Sequence, residues 1–273
     1  MRRFAALVAA AALLFTSAAH AHSGFYSPYT FGYGNATPSP VQPTLPNSAC
    51  FPQPAFWVRG DVGITLGTGV LTWKDQSGKG NDVTQPVGAS QPTYSAGAVP
   101  NGQPTLVFSG TQWLAGTTSP CASGSCTFFI VQRFTGSLTS LMTAYTSGSG
   151  ATPGGIGFSA GAVPNTRELV FAGIGVTNDL TSPTTNNWEL WTMTTAPTPT
   201  QVLRVNGAQQ ALDNSSVSPQ PYQAAQAVGS LQSTSLVTGM VGDETEIVVY
   251  DSVLSAARIT ALEQSYLLVR YGL

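Results

Sequence analysis

Trp73-Lys74-Asp75-Gln76-Ser77-Gly78-Lys79-Gly80-Asn81-Asp82 is the stretch whose reading decides the fold. An apolar run (Val70, Leu71, Trp73) leads into it and a new one starts at Val83. Between them, Gly78 and Gly80 tolerate positive φ, and Asp75, Ser77 and Asn81 are built to hydrogen-bond nearby backbone N–H groups. The stretch reads as a fixed turn between two strands, which predicts strands on either side of it.

Downstream, short strand-like runs follow one another. They are Phe56–Val58, Val70–Trp73, Thr105–Phe108, Thr127–Phe134, Leu138–Tyr145, Gly157–Ala160, Glu168–Ile174, Trp188–Thr195, Val202–Val205, Gln209–Leu212 and Glu246–Tyr250. The run at Thr127–Phe134 is apolar at both odd and even positions, which predicts a strand buried between two layers. Asn206-Gly207 between two strand-like runs predicts a tight hairpin, because a type I′ turn needs positive φ twice. One helix is expected, at the end of the chain. Ser255 caps it, Ile259, Leu262 and Tyr266 share a face, and Gly272 stops it. Strands throughout with one terminal helix predict an all-β, two-sheet antiparallel sandwich as a single domain.

Upstream, residues 1–21 read as an export signal. Arg2 and Arg3 precede an apolar run from Phe4 to Phe15, and Ala19-His20-Ala21 is a small-x-small cleavage site. The run is too short to span a bilayer, and no later segment is a spanning helix. The expected location is periplasmic, cell-surface or extracellular. Residues 22–54, with aromatics at Phe25, Tyr26, Tyr29, Phe31 and Tyr33 followed by Pro38, Pro40, Pro43 and Pro46, read as an extended leader. Residues 55–273 are then the folded domain.

Removing Arg2 and Arg3 leaves 8 basic against 12 acidic residues, a net charge of −4. So little positive charge argues against nucleic acid as a partner. Cys121 and Cys126 flank a flexible loop and are expected to form a local disulfide in an oxidising compartment, leaving Cys50 free or as an alternative partner. Asn35-Ala-Thr and Asn214-Ser-Ser match the glycosylation sequon.

Four pieces in order carry a family likeness: Ala55-Phe-Trp-Val-Arg-Gly-Asp-Val-Gly63; Trp73 to Asp82 with Gln91-Pro-Thr-Tyr94; Asn101-Gly-Gln-Pro-Thr-Leu-Val-Phe-Ser-Gly110; and Gly242-Asp-Glu-Thr-Glu-Ile-Val-Val-Tyr-Asp251 with Leu254-Ser255 and Tyr266 to Leu273. In these the chain resembles the laminin-G-like jelly rolls of the concanavalin A-like lectin/glucanase superfamily. Ser109 stands where that family usually has Asp, and Ala256-Ala257 replace a common acidic helix start. The resemblance implies two curved antiparallel sheets with ligands bound on a concave face or at rim loops.

Chemistry is sparse. The two histidines are His20 and His22. The domain therefore lacks Ser–His and Cys–His nucleophiles and a His-bearing zinc site. Carboxylates remain: hydrolases of the superfamily carry acids at alternate strand positions, and Glu244 and Glu246 approach that pattern, about 6–7 Å apart on one face. Gly242 and Val248 leave the ladder incomplete, and Glu246 could instead be a buried carboxylate held by Arg59 or Arg270. Asp75, Asn81 and Asp82 offer oxygens to Ca²⁺, against a self-bonded Asx turn without an ion. No other cofactor is expected. Trp113 is the best candidate sugar platform among Trp57, Trp73, Trp113, Trp188 and Trp191, with Asn186 and Asn187 as hydrogen-bonding candidates. The leading expectation is a non-catalytic lectin-like domain binding glycan or another extracellular surface component. The alternatives are a polysaccharide hydrolase or lyase using Glu244 and Glu246, and a structural or adhesive surface protein.

Overall fold

A strand apolar on both faces must be covered on both, once by a second sheet and once by something else. In the computed structural model that something is the terminal helix. The structure describes residues 51–136, 142–147, 156–160, 167–171, 174–180, 186–195, 201–213, 225–231, 233–236 and 238–273. Contacts divide the chain into Met1–Val41 and Gln42–Leu273, and the described residues all belong to the second unit. The export signal, most of the leader, Cys50, both sequon asparagines and the start of the Leu138–Tyr145 run lie outside them.

Numbered in chain order, one sheet runs β15 (Ala208–Asp213), β14 (Gln201–Val205), β13 (Glu189–Thr195), β8 (Cys126–Phe134), β17 (Val241–Tyr250), β6 (Thr105–Ser109), β5 (Thr93–Ser95), and β1 (Phe56–Arg59) shares the β17 edge with β6. The second runs β12 (Ile174–Leu180), β11 (Arg167–Phe171), β10 (Ile156–Ala160), β9 (Met142–Ser147), β16 (Gln226–Val228), β7 (Leu114–Gly116), β4 (Val83–Thr84), β3 (Val70–Trp73), β2 (Ile64–Leu66). Every pairing among the described residues is antiparallel. The fold is an all-β sandwich of two sheets with one C-terminal helix.

Alternation along β8 shows the layering. Phe128, Ile130 and Phe134 enter the core between the sheets with Phe56, Leu106, Trp191 and Ile247. Phe129 and Val131 face away, into a second core with Trp57, Leu190 and Val248 under Ile259, Leu262 and Tyr266. The strand is thus sealed on both sides, as its sequence requires.

The helix is not uniform. α1 (Ala256–Leu262) is capped by Ser255, whose hydroxyl accepts from the Arg258 N–H at 3.4 Å. Residues Glu263–Leu267 then form a π segment before α2 (Leu268–Tyr271). In a regular α-helix, Tyr266 and Tyr271 would point about 140° apart. The wider i→i+5 turn brings residues five apart toward one line, and both phenols reach the same carboxyl group on β17. Gly272 ends the helix in the left-handed region (φ 68°). At the β14–β15 hairpin, Asn206 (φ 48°) and Gly207 (φ 79°) take the two positive φ angles the sequence predicts. Among the described residues, no helix is long and apolar enough to cross a membrane.

Candidate functional site

The turn after β3 is organised by Asp75, which is buried. Its Oδ1 accepts from the backbone N–H of Trp57 (2.9 Å) and Ser77 (2.8 Å). Its Oδ2 accepts from the Ser77 hydroxyl (2.7 Å) and the Asn81 N–H (3.0 Å). Asp82 Oδ1 accepts the N–H of Asp75 at 2.8 Å, and Asn81 Oδ1 accepts the Thr118 hydroxyl at 2.6 Å. A calcium ion needs six to eight oxygens with free lone pairs. Here both Asp75 oxygens, the Asn81 amide oxygen and one Asp82 oxygen are occupied by N–H and O–H donors, so the set does not fit a cation. What it does is join the turn to β1, through Trp57 and through the Asn81 amide bond to Ala55 O at 2.8 Å.

Glu244 and Glu246 do not share a face. Glu244 lies opposite Gln132 and Glu246 opposite Val131, two adjacent residues of β8, with a bulge at Thr245. The bulge turns Glu244 toward the inter-sheet side, where Leu106 is its other neighbour, and leaves Glu246 on the helix side. Strict alternation could not show this. Both carboxyls are wholly buried. Glu246 accepts from the Trp57 indole N–H (2.6 Å), the Tyr266 hydroxyl (3.0 Å) and the Tyr271 hydroxyl (2.5 Å), with Arg270 Nε 3.6 Å away. Burial raises its pKa, while Tyr271, Arg270, Trp57 and Arg59 pull it back. The Glu244 carboxyl has no hydrogen-bond partner among the described residues, nor has the side-chain amide of Gln132 beside it, and burial alone holds the Glu244 carboxyl well above the usual carboxylate range. The two acids therefore do not flank a common space, which two-carboxylate hydrolysis requires.

Trp113 stands apart from the other tryptophans. The indole N–H groups of Trp57, Trp73 and Trp191 donate to Glu246, Arg59 O and Glu189. Trp188 is buried beneath Arg133, whose guanidinium lies 5.1 Å from its ring. Trp113 is half-buried, and its indole N–H has no acceptor among the described residues. Its backbone is held firmly: its N–H donates to Ser90 O (3.1 Å) and its carbonyl accepts from Gln85 Nε2 (3.2 Å). Gln85 and Gln91 in turn lace the 85–91 loop together, Gln91 Nε2 donating to Gln85 O at 2.7 Å.

Leu114 belongs to the core between the sheets, so Trp113 and Ala115 face outward from the second sheet. Across the ladders Thr84, Ala115 and Ala227 form one row of small side chains. Of these, Thr84 and Ala115, with Trp113, Pro86 and Val87 as one wall, and Ser233 and Thr234 on the rim, border a trough of about 580 Å³. The volume lies within the range of about 300–1,000 Å³ usual for small-ligand sites. The hydroxyls of Thr84, Thr117 and Thr234 make no side-chain hydrogen bond to described residues. The arrangement offers an aromatic side chain, small residues and hydroxyls that no described residue engages through a side-chain bond.

Asn186 and Asn187 are not near this trough. They border a separate recess of about 400 Å³ with Trp188, Glu189, Asn206 and Leu273, at the sheet that carries the helix. Asn186 has φ 71° and donates its N–H to Phe134 O at 2.8 Å, so it also makes the turn before β13. Cys121 and Cys126 form a disulfide at a Cα–Cα distance of 5.9 Å. Thr84, Val87, Ser233 and Thr234 went unnoticed in the sequence. They sit on two-residue strands and loops, which carry no periodic signal.

No protein-family model matches the chain, and no curated protein matches it. Solved structures do. Domain 4 of a GH43 extracellular arabinanase from Geobacillus stearothermophilus, in complex with arabinotriose, superposes with a TM-score of 0.58 at 13% identity, over 78% of this chain and 98% of that one. Trypanosoma rangeli sialidase in complex with the inhibitor DANA gives 0.54 at 14% identity, over 76% of this chain and 32% of the sialidase. The binding domain of botulinum neurotoxin serotype D gives 0.55 at 10% identity, over 78% and 50%. The chain thus matches about a third of the sialidase's length. At such identities the likeness is one of fold: a β-sandwich that also occurs in carbohydrate-active and receptor-binding proteins.

Proposed function

We propose that residues 55–273 are an exported, lectin-like jelly roll of the concanavalin A-like kind, which holds carbohydrate in the Trp113 trough and does not cut it. In this reading residues 1–21 are removed on export and residues 22–54 form a leader. The observation that carries the proposal is Trp113 itself, a half-buried tryptophan fixed by its backbone that borders the trough and whose indole N–H has no acceptor among the described residues, beside small side chains. An apolar ring face stacks on the C–H face of a sugar, and a polar tip at its edge fixes orientation. The sandwich shared with the arabinotriose-bound arabinanase domain supports the reading at the level of fold.

The test is a glycan array followed by titration calorimetry on its best ligand. Trp113→Ala should weaken binding at least tenfold, about 1.4 kcal/mol. Equal affinity in wild type and variant, or release of reducing sugar from the bound glycan, would refute it.

A further inference from the structure

We propose that the trough takes a neutral stretch of polysaccharide and discriminates against glycans bearing carboxylate, sulfate or phosphate. This rests on the carbohydrate reading above and adds the ligand's charge class. Among the described residues, the side chains bordering the trough are hydroxyl, amide, apolar or aromatic, without a single charge. From Gln42 onward, the positions outside the described residues contain no Asp, Glu, Lys or Arg.

Four of the eight cations from residue 55 onward are paired elsewhere, and Arg258 lies on α1. Arg59 and Arg270 pair with Asp61, Arg133 with Asp243, and Arg204 with Glu263, all on the sheet and helix of the other layer. Lys79 borders a different recess, with Asn81 and Asp251. Arg167, on β11, is three strands from β16, about 14 Å at the usual strand spacing. The nearest candidate by register is exposed Lys74, just past β3, whose Thr72 pairs with Thr84; it does not border the trough.

An anionic sugar entering here would lose water around its charge and gain no cation, whereas recognition of carboxylate or sulfate ordinarily uses a forked guanidinium. A neutral sugar meets groups that match it. The Thr84, Thr117 and Thr234 hydroxyls each donate and accept, and the Trp113 indole donates.

Matched oligosaccharides that differ only in charge test this, such as oligogalacturonate and its carboxyl-reduced form, alongside neutral arabinan, xylan and glucan fragments and sialyllactose. Binding is read by titration calorimetry to wild type, Trp113→Ala, Thr234→Ala and Lys74→Ala, at low salt and at about 1 M NaCl. The expected result is at least tenfold preference for the neutral partner, loss in Trp113→Ala, weakening in Thr234→Ala, no change in Lys74→Ala and no salt dependence. Tighter, salt-sensitive binding of the anionic partner that still needs Trp113 would overturn the charge inference and leave the carbohydrate reading standing. Absence of any Trp113-dependent binding, with the variants folded by thermal melt, would overturn both.

Discussion

Replacing Glu246 by Ala should destabilise the domain by about 4 kcal/mol. The carboxyl is wholly buried and is the acceptor for three donors from three elements: the Trp57 indole on β1, Tyr266 in the π segment and Tyr271 in α2. Each buried donor left without an acceptor costs about 1–3 kcal/mol, and removing one partner of a buried charged cluster costs about 3–5 kcal/mol. Water entering the vacated space recovers part of the sum, which places the estimate near the middle of the second range. For a domain of this size, about 4 kcal/mol lowers Tm by roughly 8–16 °C. Glu246→Gln keeps one acceptor oxygen and should lose less, about 1–2 kcal/mol. The assay is urea unfolding followed by far-UV circular dichroism, with amide exchange across the terminal helix as a local readout. Tyr271→Phe, combined with each variant in a double-mutant cycle, should show coupling. A loss under about 1 kcal/mol for Glu246→Ala, with helix exchange unchanged, would refute the view that this carboxyl ties the helix to β17.

Glu244 behaves in the opposite way. Its folded pKa lies above the ordinary 4.5 because burial opposes the charged form. The folded state therefore holds its proton more tightly than the unfolded state, and stability declines as pH rises from about 4.5 toward the raised value. Glu244→Gln should remove that slope and equal or exceed wild-type stability at neutral pH; an unchanged slope in urea unfolding across pH would contradict this. Asp75→Ala strips an acceptor from four donors and should unfold more readily by several kcal/mol, whereas EGTA or added Ca²⁺ should leave the wild-type melt unmoved; a Ca²⁺-dependent shift would show that the turn holds an ion after all. Reducing Cys121–Cys126 opens a loop with a sequence separation of 5, worth about 2 kcal/mol in chain entropy. A Cys121→Ser/Cys126→Ser chain with unaltered stability would count against that value.

The framework was legible wherever a residue's role is local. Trp73–Asp82, Asn206-Gly207 and Ser255 through Gly272 all declare themselves by backbone preference, and the structure places turn, hairpin and helix there. The apolar run at Thr127–Phe134 was legible for a different reason: only burial on both faces suits it. Five strands were not: Ile64–Leu66, Thr93–Ser95, Leu114–Gly116 and Gln226–Val228, because three residues cannot display a period, and Ile174–Leu180, whose Gly175, Asn178 and Asp179 are poor strand formers. The bulge at Thr245 was hidden because it is a property of pairing, set by the register of β17 on β8. It sends Glu244 and Glu246 to opposite faces, which strict alternation would have kept together. Trp113 was visible as a half-exposed aromatic after a turn, but its companions Thr84 and Thr234 come from distant loops that meet only in three dimensions.

The account stands most directly on where a bound sugar lies. A crystal structure of residues 55–273 soaked with a neutral oligosaccharide should show a ring stacked on the Trp113 indole, with hydroxyls bonded to Thr84, Thr117 or Thr234. Density for the sugar in the Asn186–Asn187 recess, with the Trp113 trough filled by water alone, would contradict it.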